Sequence, residues 1–163
     1  MDPTGALLAV ANYGDGTALL CRLDGLGAFT GEPIVLRHEG SGPDAERQRG
    51  PHAHQAVFHD DLLHVSDLGT DEIRRYTYDG AALEPITLAP GTGPRHFGFS
   101  GSRLYVAGEL AGTVTLIEGE RRMIVPASRR EGPNFPPTCS STATSCTSAT
   151  AAPTRSRCCA PTT

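Results

Sequence analysis

Six side chains carry most of the chemistry this sequence could perform: His52, His54, Asp67, Arg95, His96 and Glu109. His52 and His54 alternate in the run PHAH, so on an extended chain they face the same way. Such a pair suits two metal ligands, a hydrogen-bonded turn, or an imidazole that binds or protonates a substrate oxygen. No third Cys, His or carboxylate stands at a supporting distance for a metal site. Arg95 lies in GPRH, fixed between Pro94 and the start of a strand, and its planar fork matches a carboxylate or phosphate. Glu109 is either an exposed turn carboxylate or a general base that activates water. No Ser has the surroundings of a nucleophile elbow, and Gly40-Ser41-Gly42 is too short to cradle a phosphate.

The elements that must position these groups are short strands joined by tight turns. Gly91 to Leu110, GTGPRHFGFSGSRLYVAGEL, contains two strands folded together, which brings Arg95 and Glu109 to one end of a small sheet. Strands are expected at Leu7–Ala11, Thr17–Leu23, Pro33–His38, HQAVF, LLHVS, EIRRYTY, Leu83–Leu88, HFGFS, RLYVA and TVTLI. The charged loop HEGSGPDAERQRG is expected on the surface, where loops often carry function. LLAVANYGDGTALL, LLHVSDLGTDEIRRY and LYVAGELAGTVTLI align as repeats, placing Asn12, Asp67 and Glu109 at equivalent positions, 55 and 42 residues apart. The same alignment sets His54 against His96. Repetition at that spacing, with three or four strands per unit, is the signature of β-propeller blades.

Composition agrees with an all-β class: 19 Gly and 13 Pro in 163 residues, 38% hydrophobic, 20% charged. A net charge of −4 without a basic stripe argues against a nucleic-acid partner. No apolar run is long enough for a membrane helix and no leader follows Met1, so a soluble cytoplasmic protein is expected. Four of the five cysteines fall in the last 25 residues, without zinc spacing or the spread of a disulfide scaffold. Nothing in the sequence sets the oligomeric state.

Two regions follow: residues 1–135 as a partial propeller and 136–163 as an aberrant tail. From Thr138 the tail has no aliphatic residue larger than Ala, which reads as disordered low complexity. Moving the frame back one base gives every Cys, and every Ser with a TCN codon, a second-position T and hence an apolar residue. Every Thr becomes polar. With permissive third bases the tail becomes DLLVDGDVVYVSNRGADTIAVLRADD, whose SNRGADTIAVL aligns with SDLGTDEIRRY. The tail is therefore expected to be a frameshifted blade, with an indel near codons 135–138.

ANYGDG, HEGSGPDAERQRGPHAH, SDLGTDEIRRY, PGTGPRHFGFS and LYVAGEL, in this order over residues 2–135, resemble successive motifs of the lactonase family of seven-bladed propellers. That family includes the propeller-type 6-phosphogluconolactonase and the carboxy-cis,cis-muconate cyclase. The resemblance implies about three blades of seven, with about a blade missing upstream, so that the chain is a gene fragment, inactive and unstable alone. It implies hydrolysis of a small sugar-acid lactone by the intact protein, with no metal or organic cofactor. The alternatives are a carboxymuconate cycloisomerase and a non-catalytic binding scaffold. By resemblance Arg95, Glu109 and His54 are the catalytic set: Arg95 holds an anionic group or polarises the carbonyl, Glu109 handles water or a proton, and His54 assists. His52, His96 and Asp67 would contact the substrate from the channel wall.

Overall fold

The computed structural model describes residues 1–128, and all their regular structure is antiparallel strand. The first sheet is β1 (Leu7–Asn12), β2 (Thr17–Arg22) and β3 (Ile34–Arg37). The second is β4 (Ala53–His59), β5 (Leu62–Asp67), β6 (Glu72–Tyr76) and β7 (Ala82–Thr87). The third is β8 (Pro94–Ser100), β9 (Arg103–Gly108), β10 (Thr113–Glu118) and β11 (Arg121–Pro126). Each sheet is a meander, and the two complete ones are propeller blades. The fold is a partial β-propeller of about three blades, as expected. β11 goes beyond the expected strands: all six residues of RRMIVP are exposed, so no inward-facing alternation announced it. The tail at 136–163, and with it the expected frameshift, lies outside the described residues. Among the described residues no helix is long and apolar enough to cross a membrane.

Local chemistry fixes the hairpins. Asp60 and Asp61 both take positive φ, +48° and +58°, as a two-residue turn with the strands' own twist requires, and His59 pairs directly with Leu62. The sheets then pack face to face through two apolar clusters. Leu7, Leu20 and Leu36 meet Ala53, Leu63, Val65 and Tyr76 between the first and second sheets. Ile73 and Leu88 meet Phe97, Leu104, Val106 and Ile117 between the second and third. Burying such aliphatic and aromatic side chains is worth about 1.5–3 kcal/mol each.

Pairing register sets the true equivalences between sheets. Asn12 pairs with Thr17, Asp67 with Glu72 and Gly108 with Thr113, each across an identical turn. Asn12, Asp67 and Gly108 are therefore equivalent, and the next residues, Tyr13, Leu68 and Glu109, form a second equivalent set. This corrects the alignment of Asp67 with Glu109 by one residue. A second correction follows on β4 and β8, where Ala53 faces Asp67 and Pro94 faces Gly108. His54 is the counterpart of Arg95, and Gln55 that of His96. By the same register β1 matches β5 and β9, so the first sheet contains counterparts of the second to fourth strands of a blade.

Candidate active site

The inner strands β4 and β8 lie next to each other, and both begin with a bulge. Register slips between Ala53 and Gln55 and, at the equivalent place, between Pro94 and His96. The extra residues are His54 and Arg95. A bulge re-aims a side chain that a regular ladder would hold in line, so the same irregularity presents a basic group from each strand. Neighbouring groups lock the pair together. Ser66, fully buried, accepts from the Gln55 N–H at 3.0 Å and donates to the Arg95 carbonyl at 2.8 Å. The Phe97 N–H donates to Gln55 Oε1 at 2.7 Å. Upstream of Arg95, both Asp71 carboxylate oxygens hold the turn, accepting from Gly91 and Gly93 at 2.7 Å each. Gly93 has φ +56°, and a Cβ there would lie 2.4 Å from Leu110 Cγ, so only glycine fits.

Glu109 is the centre of the cluster. Its Oε1 accepts from Arg47 Nη2 at 2.8 Å and its Oε2 pairs with Arg95 Nη1 at 3.0 Å. The Glu109 side chain is 7% exposed, whereas Arg47 and Arg95 keep 40% and 34% of theirs in solvent. The carboxylate is thus a buried anchor and the two guanidiniums are its outward face. Arg47 also donates to Tyr13 Oη at 3.3 Å. The Tyr13 ring stacks on His52 at 4.5 Å, and His52 Nδ1 donates to the Tyr13 carbonyl at 2.8 Å. His54 lies edge-on to Tyr13 at 5.8 Å and to His96 at 4.9 Å. Of the six candidates, His52, His54, Arg95, His96 and Glu109 converge here.

Arg47 and Tyr13 were not among the expected site residues. Arg47 comes from the charged loop, whose conformation is built around a wholly buried Gln48. Gln48 Nε2 donates to the Leu68 carbonyl at 2.8 Å and its Oε1 accepts from the Asp44 N–H at 3.1 Å. Asp44 Oδ1 in turn accepts from the Glu46 and Arg47 N–H groups, both at 2.9 Å. A Gly-Pro-Asp turn followed by N–H groups for the Asp to cap is a local signal that this loop is ordered.

Asp67 has a different place. It is fully buried, and its carboxylate accepts from His38 Nδ1 at 2.5 Å and from the backbone N–H groups of His52, Gly69 and Thr70 at 2.8, 2.9 and 3.2 Å. The expectation that it meets substrate is corrected: its side chain has no exposed surface, and four donors of the chain hold its two oxygens. Burial alone would raise its pKa, but the His38 and backbone donors outweigh it and hold the carboxyl below its ordinary range.

Electrostatics divide the cluster into charged and neutral halves. Two guanidiniums against one carboxylate leave a net positive charge, and the hydrogen bonds that Arg47 donates to Tyr13 and Glu109 raise its pKa further. Burial first, then Arg95, lowers the pKa of His54. Burial, His54 and Arg95 do the same for His96. Both imidazoles are therefore neutral near pH 7, and among the described residues Nδ1 of each lacks a partner. Among the described residues no group of three or more His, Cys, Asp or Glu could hold a metal ion.

Fold and site together define a β-propeller with a cationic, imidazole-rich cleft at the start of its inner strands. Residues 1–124 match the family described as lactonase, 7-bladed β-propeller. The chain is 34% identical over 133 residues to a probable 6-phosphogluconolactonase of Arthroderma benhamiae, covering 74% of this chain and 34% of that protein. It is 34% identical over 128 residues to the Bacillus subtilis 6-phosphogluconolactonase, covering 72% and 36%. Its fold matches a putative 6-phosphogluconolactonase from Bacteroides fragilis with a TM-score of 0.66 at 30% identity, covering 76% of this chain and 41% of that one. The chain belongs to the lactonase family of seven-bladed β-propellers. It spans about a third of the length of the curated relatives it matches.

Proposed function

We propose that this cleft is part of the active site of a lactonase that opens a small sugar-acid lactone, a 6-phosphogluconolactone being the leading candidate. The observation that carries it is the Glu109 carboxylate gripping Arg47 and Arg95 side by side, next to two neutral imidazoles. The guanidiniums bind the anionic group or the carbonyl oxygen as charge builds on it. A neutral His54 takes a proton from the attacking water. Water oxygen then bonds to the carbonyl carbon, the ring C–O bond breaks, and the released alkoxide takes a proton, giving the hydroxy acid. Glu109 has both oxygens committed to arginines, so it positions them, and the base role passes to His54. His96 packs against His54 and borders the substrate, while His52 orients Tyr13. The scheme draws only on these side chains, and the compartment proposed is the cytoplasm.

The test is pH-stat detection of lactone opening by the chain alone and by the chain completed to seven blades with those of a relative. Glu109→Gln, Arg95→Ala and His54→Asn should each slow the completed ring. If all three leave the rate unchanged, the site is elsewhere.

A further inference from the structure

We propose a second ligand site at the opposite end of the same two blades, fitted to a small organic anion with an apolar body. It is separate from the cleft. His54 is the second residue of β4 and His59 closes it, five residues further on or about 17 Å along an extended strand. There a cavity of about 440 Å³ opens between the second and third sheets, within the usual range for small-molecule sites. Its wall carries two arginines, Arg75 and Arg122, two imidazoles, His59 and His64, and the apolar side chains of Phe99 and Ile117.

The arginines give the site its charge preference. Elsewhere Arg47, Arg74, Arg95 and Arg103 each pair with a glutamate. Arg75 instead donates its Nε to the Glu84 carbonyl at 2.7 Å, and Arg122 makes no hydrogen bond or ion pair among the described residues. Among the described residues neither guanidinium has a carboxylate partner. The acid on the cavity wall, Asp60, has its side chain 84% in solvent and turns to His59 Nε2 at 3.3 Å. Two guanidiniums left uncompensated beside a cavity are an opening for a carboxylate or phosphate.

The rings give it an apolar face. His59 stacks on Phe99 at 3.8 Å with their planes 9° apart, and His64 meets Phe99 edge-on at 4.9 Å. His64 is 5% exposed, and burial, then His59 and Arg75, push its pKa down to about 4. It therefore enters the wall as an uncharged ring. Charge at one side and stacked rings at the other select a molecule with the same division.

Calorimetric titration of the full chain at low salt tests this, with 1-naphthoate, 1-naphthalenemethanol and inorganic phosphate as probes. An Arg95→Ala background disables the anion site of the cleft. Naphthoate should bind one to one in that background, at least tenfold more tightly than the neutral alcohol or phosphate. Arg122→Gln should weaken it roughly tenfold, and that side chain is exposed and unpartnered, so the fold does not depend on it. Arg75→Gln should do the same. Equal binding of the alcohol, indifference to both arginine substitutions, or no binding at millimolar naphthoate would each overturn the proposal. So would loss of all binding in Arg95→Ala alone, which would place the ligand in the cleft.

Discussion

Two acids at the same end of neighbouring blades have opposite fates. Asp67 ends β5 and Glu109 follows the end of β9, one register position apart. Successive side chains of an extended chain point to opposite sides, so one step is enough to separate them. Asp67 turns inward, where four donors close around it. Glu109 turns toward the cleft and takes two arginines whose side chains keep 40% and 34% of their surface in solvent. Leu68, at the position equivalent to Glu109, is fully buried and apolar, while Tyr13 at that position in the first sheet reaches the same cluster as Glu109. Each blade presents one residue here, and its type decides whether the blade contributes to the charged cluster or to the core.

Substitution should separate the two acids cleanly. Asp67→Ala leaves His38 and three backbone N–H groups without their acceptor, and should cost about 3–5 kcal/mol of stability by urea or thermal unfolding. Glu109→Gln should cost less, about 1–2 kcal/mol, because the amide keeps the same shape and one acceptor oxygen and both arginines keep a third or more of their side chains in solvent. In the ring-completed protein the order reverses. Glu109→Gln and Arg95→Ala should lower lactone kcat/KM by roughly ten- to a hundredfold, the worth of one or two charged hydrogen bonds. An unfolded Glu109→Gln or a fully stable Asp67→Ala would erase the distinction.

Acid should also act on the two regions in separate windows. His64 titrates at 6.5 when exposed and at about 4 when folded. The unfolded chain thus takes up a proton that the folded chain refuses, and stability falls as pH drops from about 6.5 toward 4. His54 and His96, also lowered, add to this loss. Asp67 works the same way lower down. Its folded pKa lies below 3.8, so its contribution is present above that value and is lost as pH falls through the folded pKa. Urea midpoints measured from pH 7 to 2 should therefore fall in two stages. His64→Gln should shrink the first and leave the second. An unchanged first stage would mean that His64 is solvated.

The sequence showed the blades and most of the residues that cluster at their start because both depend on local signals. Alternating strands, Gly-Asp turns and the GPRH and PHAH runs are all short-range features. Register was not legible, since residue type suggested pairing acid with acid, Asp67 with Glu109, and His54 with His96. Hydrogen bonding decides otherwise: the bulges at His54 and Arg95 make those two the true counterparts. Arg47 was hidden for a different reason. Its place depends on Gln48 reaching Leu68, a contact 20 residues away that no spacing rule encodes. Asp67 misled for the same reason, because its partner His38 lies 29 residues upstream.

The finest test concerns Tyr13, the first-sheet counterpart of Glu109. Tyr13→Phe removes the 3.3 Å bond from Arg47 but keeps the ring stacked on His52. Arg47 still holds Glu109 at 2.8 Å, so it should stay in place with one contact fewer. A long, exposed hydrogen bond from a guanidinium that keeps its stronger carboxylate partner is worth about 0.5 kcal/mol, or roughly a twofold effect. KM for the lactone should rise by about that factor, with kcat unchanged, because Tyr13 steadies a binding group and touches no proton in transit. Arg47→Ala should raise KM by roughly tenfold in the same assay. If Tyr13→Phe matched Arg47→Ala, the arginine would be held by the first blade rather than by Glu109, and the third blade would lose its claim as the anchor of the site.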